Sequence, residues 1–263
     1  MKIKIYHLYP DAMNLYGDWG NILAIQKRCE WRQIQTEIIE VKVGENYNFD
    51  DADIFFLGGG QDRGQILISK DLGLKGKQIK EAIEKDTVAL TICGGYQLFG
   101  KHFKTANGTE IPGISVFDAW TEASTERMIG NVLVDCRATT SNWENMHRFG
   151  LVEKMHATLV GFENHSGKTH LGNNAKPLGH IIRGYGNDGT GNFEGCQYRN
   201  AFGTYLHGSL LPKNPWFTDH IILLALRHRY GSDSELPQLD DAIEIAAHNE
   251  AKERVYTAKT VHI

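Results

Sequence analysis

The stretch TVALTICGGYQLFG, residues 87–100, is where the fold and the chemistry of this chain are decided. Its apolar run VALTI is typical of a strand buried on both faces, and the run stops at Cys93, Gly94 and Gly95 before a helix-like segment. A nucleophile at such a strand–turn–helix junction stands clear of the sheet. The first N–H groups of the helix would lower the thiol pKa, and the N–H of Gly94 would face an oxyanion. A buried cysteine flanked by glycines for close packing is the alternative, but the complete frame favours a catalytic Cys93.

Strand-like and helix-like segments alternate through the first half of the chain. The predicted strands are KIKIYHLY, TEIIEVKV, DADIFFLGGG and TVALTI, and the predicted helices between them are GNILAIQKRCEWRQI and KQIKEAIEK. This order predicts an α/β fold with a mostly parallel central sheet and helices on both faces. Ligands of such sheets bind at the carboxyl ends of the strands, where the loops at 58–60 and at Cys93 lie.

The second half of the chain has a different character. Residues 109–207 are rich in Gly, Asn and short β-type segments, which we interpret as antiparallel or mixed extensions of the same sheet. The segment NPWFTDHIILLALRHRY predicts a helix with Asn214 as its N-cap and Pro215 at its first position. A further helix follows the linker GSDSELP. We therefore expect one domain over residues 1–230 and a C-terminal helical extension over residues 231–263.

Composition limits the function classes. The net charge of −4 gives no reason to expect a nucleic acid or an anionic membrane surface as partner. The sequence contains neither an apolar run long enough to span a membrane nor a signal peptide, so a cytoplasmic location is the default expectation. The four cysteines form no CxxC pair and have no neighbouring histidine ligands, so neither a metal site nor a disulfide framework is expected.

Two glycine-rich motifs resemble nucleotide-binding loops by letter only. GYGNDG, residues 184–189, matches G-x-G-x-x-G but is followed by TGNFEGCQ instead of a helix. GFENHSGKT, residues 161–169, has one residue too many between its glycines for a P-loop. We therefore predict no nucleotide site in this chain, and an ATP-driven reaction would require ATP on another chain.

A cysteine nucleophile needs a base, and the best candidate is His207. It closes the predicted strand of AFGTYLHGSLL and is followed by glycine, so it should project from a sheet edge towards the same crevice. His165 and His170 are weaker rivals.

These residues resemble the class I glutamine amidotransferases of the CobB/CobQ type. The resemblance is carried by TICGGYQLFG and GTYLHG, and it is extended by YPDAMNLYGDWGNI, FLGGGQDR, GFENHSGKTHLG and GTYLHGSLLPKNP to about residues 5–220. It implies a flavodoxin-like fold in which the Cys93 thiolate attacks the side-chain amide of glutamine and His207 transfers the protons. Gly94 with Gly59 and Gly60 would hold the oxyanion.

The resemblance also implies a substrate pocket and a partner. Gln97 would line the glutamine pocket, and Arg127 would bind the α-carboxylate of L-glutamine through its guanidinium; a solvated surface arginine is the alternative. The branch with the best match serves a Mur-ligase-like amidoligase (MurT) in a heterodimer that amidates lipid II, with ATP and Mg²⁺ on the partner. Amidation of a corrin-type cofactor and an inactive scaffold are the competing hypotheses.

One departure from the family pattern concerns the histidine. Typical members carry His-x-Glu, in which the acid orients the imidazole, whereas this chain has His207, Gly208 and Ser209. Either Glu194 or a carboxylate of the partner subunit could supply the missing charge, and we favour the partner.

Overall fold

The computed structural model describes residues 1–137 and 157–258, and within these the chain forms two β-sheets, five α-helices and two short 3-10 helices, Leu15–Gly17 and Leu211–Lys213. The strands are β1 (Lys2–Leu8), β2 (Gln35–Val41), β3 (Ile54–Leu57), β4 (Val88–Ile92), β5 (His102–Lys104), β6 (Glu110–Pro112), β7 (Ala119–Asp135), β8 (Thr158–Leu171), β9 (Gly179–Arg183), β10 (Phe193–Glu194), β11 (Cys196–Tyr198) and β12 (Ala201–Thr204). The helices are α1 (Trp19–Glu30), α2 (Asp62–Glu84), α3 (Gly94–Phe99), α4 (Pro215–Tyr230) and α5 (Ala242–Thr257).

The first sheet has the strand order β11-β12-β4-β3-β1-β2 and is parallel except for the edge strand β11. Alternate side chains enter different cores, as the two-residue period of a strand requires. Phe56 lies in the core shared with α1 and α4, whereas Phe55 lies in the core shared with α2 and α3. The predicted α/β fold with helices on both faces is confirmed.

The second half of the chain forms a separate sheet, so its interpretation as an extension of the first sheet is wrong in large part. This sheet has the order β10-β9-β7-β5-β6, with β8 paired to β7, and only β11 and β12 join the first sheet. β7 and β8 are long strands that pair with each other from Ala119 opposite Leu171 to Asp135 opposite Thr158. β8 pairs along one edge of β7 and β5 and β9 pair along the other, so β7 has no edge left for the parallel sheet.

The two glycine motifs lie in a strand and in a loop. Residues 161–169 are part of β8, and residues 184–189 form a loop between β9 and β10. Gly184, Gly186 and Gly189 have φ of 133°, 69° and 85°, a region that glycine adopts without strain.

The C-terminal helix α5 packs against the domain. Its His248 lies 3.0 Å from Thr158 Oγ1 and 2.9 Å from the carbonyl oxygen of Lys213, and Val255 joins a small core with Leu133 and Val160. Residues 259–263 of the predicted extension lie outside the described part of the chain.

A buried ion cluster joins the start of α5 to α1 and α4. Arg28 donates to both oxygens of Asp219 at 2.6 Å and to Asp241 at 2.6 Å, and Arg32 donates to Asp219 at 2.6 Å. Removal of one partner from a buried cluster leaves an uncompensated charge, which destabilises a fold strongly.

No helix in residues 1–137 or 157–258 is long and apolar enough to cross a membrane.

Candidate active site

Cys93 occupies a strained turn between β4 and α3. Its φ of 49° and ψ of −105° lie in a sparsely populated region, which is typical of a residue held in place for function. Its N–H donates to the Thr204 carbonyl at 2.8 Å, so the bend is tied to β12, and its side chain is partly exposed. The predicted strand–turn–helix frame is confirmed.

The two glycines after Cys93 permit close approach of α3 to the end of β3. A Cβ at Gly94 would lie 2.8 Å from the Gly60 carbonyl oxygen, and a Cβ at Gly95 would lie 2.5 Å from that of Leu57. The packing explanation therefore holds, and the same close approach brings the loop at residues 58–60 against Cys93.

The other three cysteines, Cys29, Cys136 and Cys196, are buried. Burial raises the pKa of Cys29 and of Cys196 to about 12, and it raises that of Cys136 further. Thiols in such surroundings hold their protons at neutral pH.

His207 lies next to Cys93, as predicted. It is fully buried, and its backbone forms a bridge with Phe162 of β8, with its N–H donating at 2.7 Å. A Cβ at Gly59 would lie 2.8 Å from His207 Cε1 and 3.6 Å from Cys93 Cβ. Both side chains therefore lie beside Gly59, and a side chain at that position would crowd the imidazole.

The protonated imidazole is stabilised by its neighbours. Burial by itself lowers the pKa of His207, but the negative charge of the Cys93 sulfur and the carboxylate of Asp18 outweigh burial and raise that pKa to about 10. The site thus favours the protonated form of the His207 imidazole.

The carboxylate beside His207 belongs to Asp18, a residue that the sequence analysis did not single out. Asp18 Oδ1 lies 3.6 Å from His207 Nδ1, and both side chains are fully buried. Asp18 Oδ2 accepts a 2.6 Å hydrogen bond from the Gly59 N–H. Gly59 was expected to help hold the oxyanion, but its N–H group donates to Asp18 instead. Gly59 contributes to the site by leaving space beside the imidazole of His207.

Glu194, which the sequence offered as a substitute acid, holds the strand that leads to His207. Its Oε1 accepts 2.7 Å hydrogen bonds from Thr204 Oγ1 and from the Tyr205 N–H. Burial raises the pKa of Glu194 to about 7.

Gln97 lies one turn after Cys93 with its amide fixed inside the protein. Its Nε2 donates to the Tyr205 hydroxyl at 3.1 Å, and its Oε1 accepts from Gln65 Nε2 at 2.9 Å. The sequence indicated Gln97 through the family resemblance, whereas Gln65 and Tyr205 carried no local signal.

Arg127 lies in the irregular part of β7, where the register with β8 shifts between Ala123 and Met128. It is exposed, and its Nε donates to Asn164 Oδ1 at 2.8 Å. The next residue of β8, His165, stacks on Tyr205 with ring centroids 3.6 Å apart, and Tyr205 bonds Gln97. Arg127 therefore lies on the β7–β8 pair, which also carries the His165 ring that packs on Tyr205, the hydrogen-bond partner of Gln97.

The rival histidines have other contacts. His165 is buried in its stack, with Nδ1 2.9 Å from the Gly167 carbonyl oxygen, and His170 packs beside Trp120. Neither arrangement matches the contact that His207 makes with Cys93.

A strained cysteine, a buried histidine beside it and a carboxylate behind the histidine form the kind of arrangement that thiol enzymes use for covalent catalysis. The chain belongs to the CobB/CobQ-like glutamine amidotransferase family, whose model matches residues 4–215. It is 41% identical over 246 residues to the lipid II isoglutaminyl synthase (glutamine-hydrolyzing) subunit GatD of Staphylococcus aureus strain N315, spanning 94% of this chain and 93% of that protein. The GatD subunit of Streptococcus pneumoniae R6 is 36% identical over 243 residues, spanning 92% of this chain and 87% of that protein.

Solved structures support the same fold. A glutamine amidotransferase from Thermotoga maritima has a TM-score of 0.51 at 14% identity, over 97% of this chain and 92% of that one. A second glutamine amidotransferase has a TM-score of 0.53 at 13% identity, over 84% of this chain and 98% of that one.

Proposed function

We propose that this chain is the glutaminase subunit of an amidoligase that modifies lipid II, with Cys93 as nucleophile and His207 as general acid and base. The observation that carries the proposal is that both side chains lie beside Gly59, where a Cβ would come within 2.8 Å of His207 Cε1 and 3.6 Å of Cys93 Cβ. Nucleophile and base within mutual reach are the minimum that covalent amide cleavage requires.

In the first step the Cys93 thiolate bonds to the side-chain carbonyl carbon of glutamine, and the carbonyl oxygen takes up the negative charge. Gly60 and Gly94 are adjacent, with a Cβ at Gly94 3.0 Å from the Gly60 nitrogen, and we assign their N–H groups to the oxyanion. The His207 imidazolium gives its proton to the departing nitrogen, the C–N bond breaks and ammonia leaves. A thioester on Cys93 remains.

In the second step water cleaves the thioester. Neutral His207 takes a proton from the water, the hydroxide adds to the carbonyl carbon, and the C–S bond breaks. Glutamate departs, and the thiolate–imidazolium pair is restored. Gln97 shapes the pocket, and Arg127 binds the α-carboxylate of the substrate.

Ammonia must then reach an acceptor before it becomes ammonium. Both GatD relatives are named as subunits of a lipid II isoglutaminyl synthase, which supports a partner that consumes the ammonia. We assign this role to a Mur-ligase-like subunit (MurT) that holds ATP and Mg²⁺ and amidates D-glutamate of the lipid II stem peptide to D-isoglutamine. A cytoplasmic heterodimer follows from the proposal.

The corrin alternative has weaker support. A probable cobyric acid synthase from Methanocaldococcus jannaschii is 30% identical over 166 residues, which spans 60% of this chain and 30% of that protein. The two GatD relatives match over nearly their whole length, which favours the lipid II reaction.

The experiment is amidation of lipid II by the chain together with its partner, with glutamine or ammonium chloride as nitrogen source. Cys93→Ser should abolish amidation from glutamine and leave amidation from ammonium unchanged. Loss of both activities would show that Cys93 is structural.

A glutamine-analogue electrophile such as 6-diazo-5-oxonorleucine tests the scaffold alternative. Stoichiometric labelling of Cys93 in the complex supports the enzyme, whereas no labelling with the partner present supports a scaffold.

A further inference from the structure

We propose that Asp18 is the positioning residue of this site: it orients the imidazole of His207 in place of an acid two residues after the histidine. The proposal rests on the proposed glutaminase function. It assigns the missing charge to this chain, although the sequence favoured a carboxylate from the partner.

The two oxygens of Asp18 have different surroundings. Oδ2 is fixed by the 2.6 Å hydrogen bond from the Gly59 N–H, which sets the plane of the carboxylate. Oδ1 is buried, has no hydrogen-bond partner among the described residues, and lies 3.6 Å from His207 Nδ1. A buried carboxylate needs a compensating charge or donor, and the Nδ1–H of the imidazole is the group placed to provide it. When Nδ1 carries the proton, the neutral imidazole of His207 presents Nε2 for proton transfer.

Ser209 occupies the sequence position of the missing acid and joins the Asp18 segment to the His207 loop. Its hydroxyl donates to the Gly17 carbonyl at 2.6 Å, one residue before Asp18. A Cβ at Gly20 would lie 2.3 Å from that hydroxyl, so the glycine makes room for the contact. Where the family pattern has an acid, this chain has Ser209, and the hydrogen bond from Ser209 to Gly17 holds the neighbouring Asp18 beside His207.

A second hydrogen bond holds the same two segments together. Asn21 Oδ1 accepts from the Leu211 N–H at 2.9 Å, and both residues are buried. Asp18 and His207 therefore lie between two fixed contacts, which is the support that a precise hydrogen-bond geometry requires.

The competing carboxylates are less well placed. The Oε1 of Glu194 is committed to Thr204 and Tyr205. His207 is fully buried with Nδ1 towards Asp18, so a carboxylate of the partner would have to displace Asp18 to reach that nitrogen.

The test is Asp18→Asn in the complete complex with the partner, with Asp11→Asn as the matched control on the exposed part of the same loop. Asparagine keeps an oxygen for the Gly59 N–H and loses the charge. We expect kcat for glutamine-dependent amidation to fall by about 10² to 10⁴, as it does when the acid of a catalytic triad becomes an amide. The KM for glutamine and the ammonium-dependent activity should be unchanged.

A pH titration separates positioning from mere structural support. In the free chain, NMR of labelled histidine should show the His207 ring losing its proton at lower pH in Asp18→Asn than in the wild type, because a neighbouring negative charge has been removed. Asp11→Asn should leave the pH at which the His207 ring loses its proton unchanged.

The outcomes are distinguishable. A wild-type complex that cannot use glutamine refutes the proposed function, whatever the variant does. A wild-type complex that uses glutamine while Asp18→Asn matches its kcat refutes the role of Asp18. Should Asp18→Asn not fold, Ser209→Ala decides in its place: a lower kcat at unchanged KM supports the proposal, and a wild-type kcat overturns it.

Discussion

A methyl group at Gly59 tests whether the space beside His207 matters for catalysis. In Gly59→Ala the new carbon would lie 2.8 Å from His207 Cε1 and 3.2 Å from Asp18 Oδ2, whereas ordinary contact begins at 3.4 Å. The φ of Gly59 is not positive, so alanine fits the backbone, and the crowding falls on the side chains. The imidazole must withdraw by several tenths of an ångström.

The expected loss of activity follows from the displacement of the imidazole. A misplacement of about 1 Å in a catalytic group lowers the rate about 100-fold. We therefore expect kcat for glutamine hydrolysis to fall by about 10- to 100-fold in Gly59→Ala, which corresponds to about 1.4–2.7 kcal/mol of barrier. Amidation from ammonium should be retained, because it bypasses the thiol.

The assay is glutamate release by the complex, measured with unfolding temperature as the check on the fold. Gly73→Ala is the matched control: a Cβ there meets nothing within 4 Å, and its place inside α2 predicts a gain of about 0.5–1 kcal/mol in stability with unchanged kcat. A Gly59→Ala enzyme with wild-type kcat and normal stability would refute the geometry described for this site.

Further predictions concern substrate binding, reactivity and stability. Arg127→Ala should raise the KM for glutamine at least tenfold, on the order of 1.4 kcal/mol, with an unchanged unfolding temperature; an unfolded variant would contradict a binding role. Iodoacetamide at pH 7 should modify Cys93 in the folded chain and the other three cysteines only after denaturation; fast labelling of a second site would contradict their burial. Burial lowers the pKa of both His7 and His220 to about 4, below the value of 6.5 in the unfolded chain. The contribution of these two residues to stability should therefore be fully present above pH 6.5 and fall as pH drops towards 4, and denaturant titrations should lose that part of the slope when both are replaced by Gln.

The first sheet and the bend at Cys93 could be predicted because their signals are local. The apolar run before Cys93 and the glycines after it specify a strand, a bend and a helix within one short stretch, and the structure has all three. The helix α4 was predicted equally well, since Asn214 and Pro215 mark its start.

The second sheet and the acid beside His207 depend on distant contacts. β7 and β8 pair across a long separation in sequence. The β-type segments in the sequence do not indicate which strand pairs with which, or in what register. Asp18 lies in a polar loop and acquires its role only through Gly59 and His207, which are remote in sequence. Nothing near Asp18 distinguishes it from a helix-capping aspartate.

The meeting of four chain segments at Gly59 has a consequence for biogenesis. Asp18, Gly59, Cys93 and His207 are contributed by separate elements, and most of the chain is synthesised between the first and the last of them. Under the proposed mechanism, a nascent or truncated chain that lacks the His207 segment would present a thiol with no proton donor and would release no ammonia. Glutamine hydrolysis would then report that the chain has been synthesised and folded at least as far as His207.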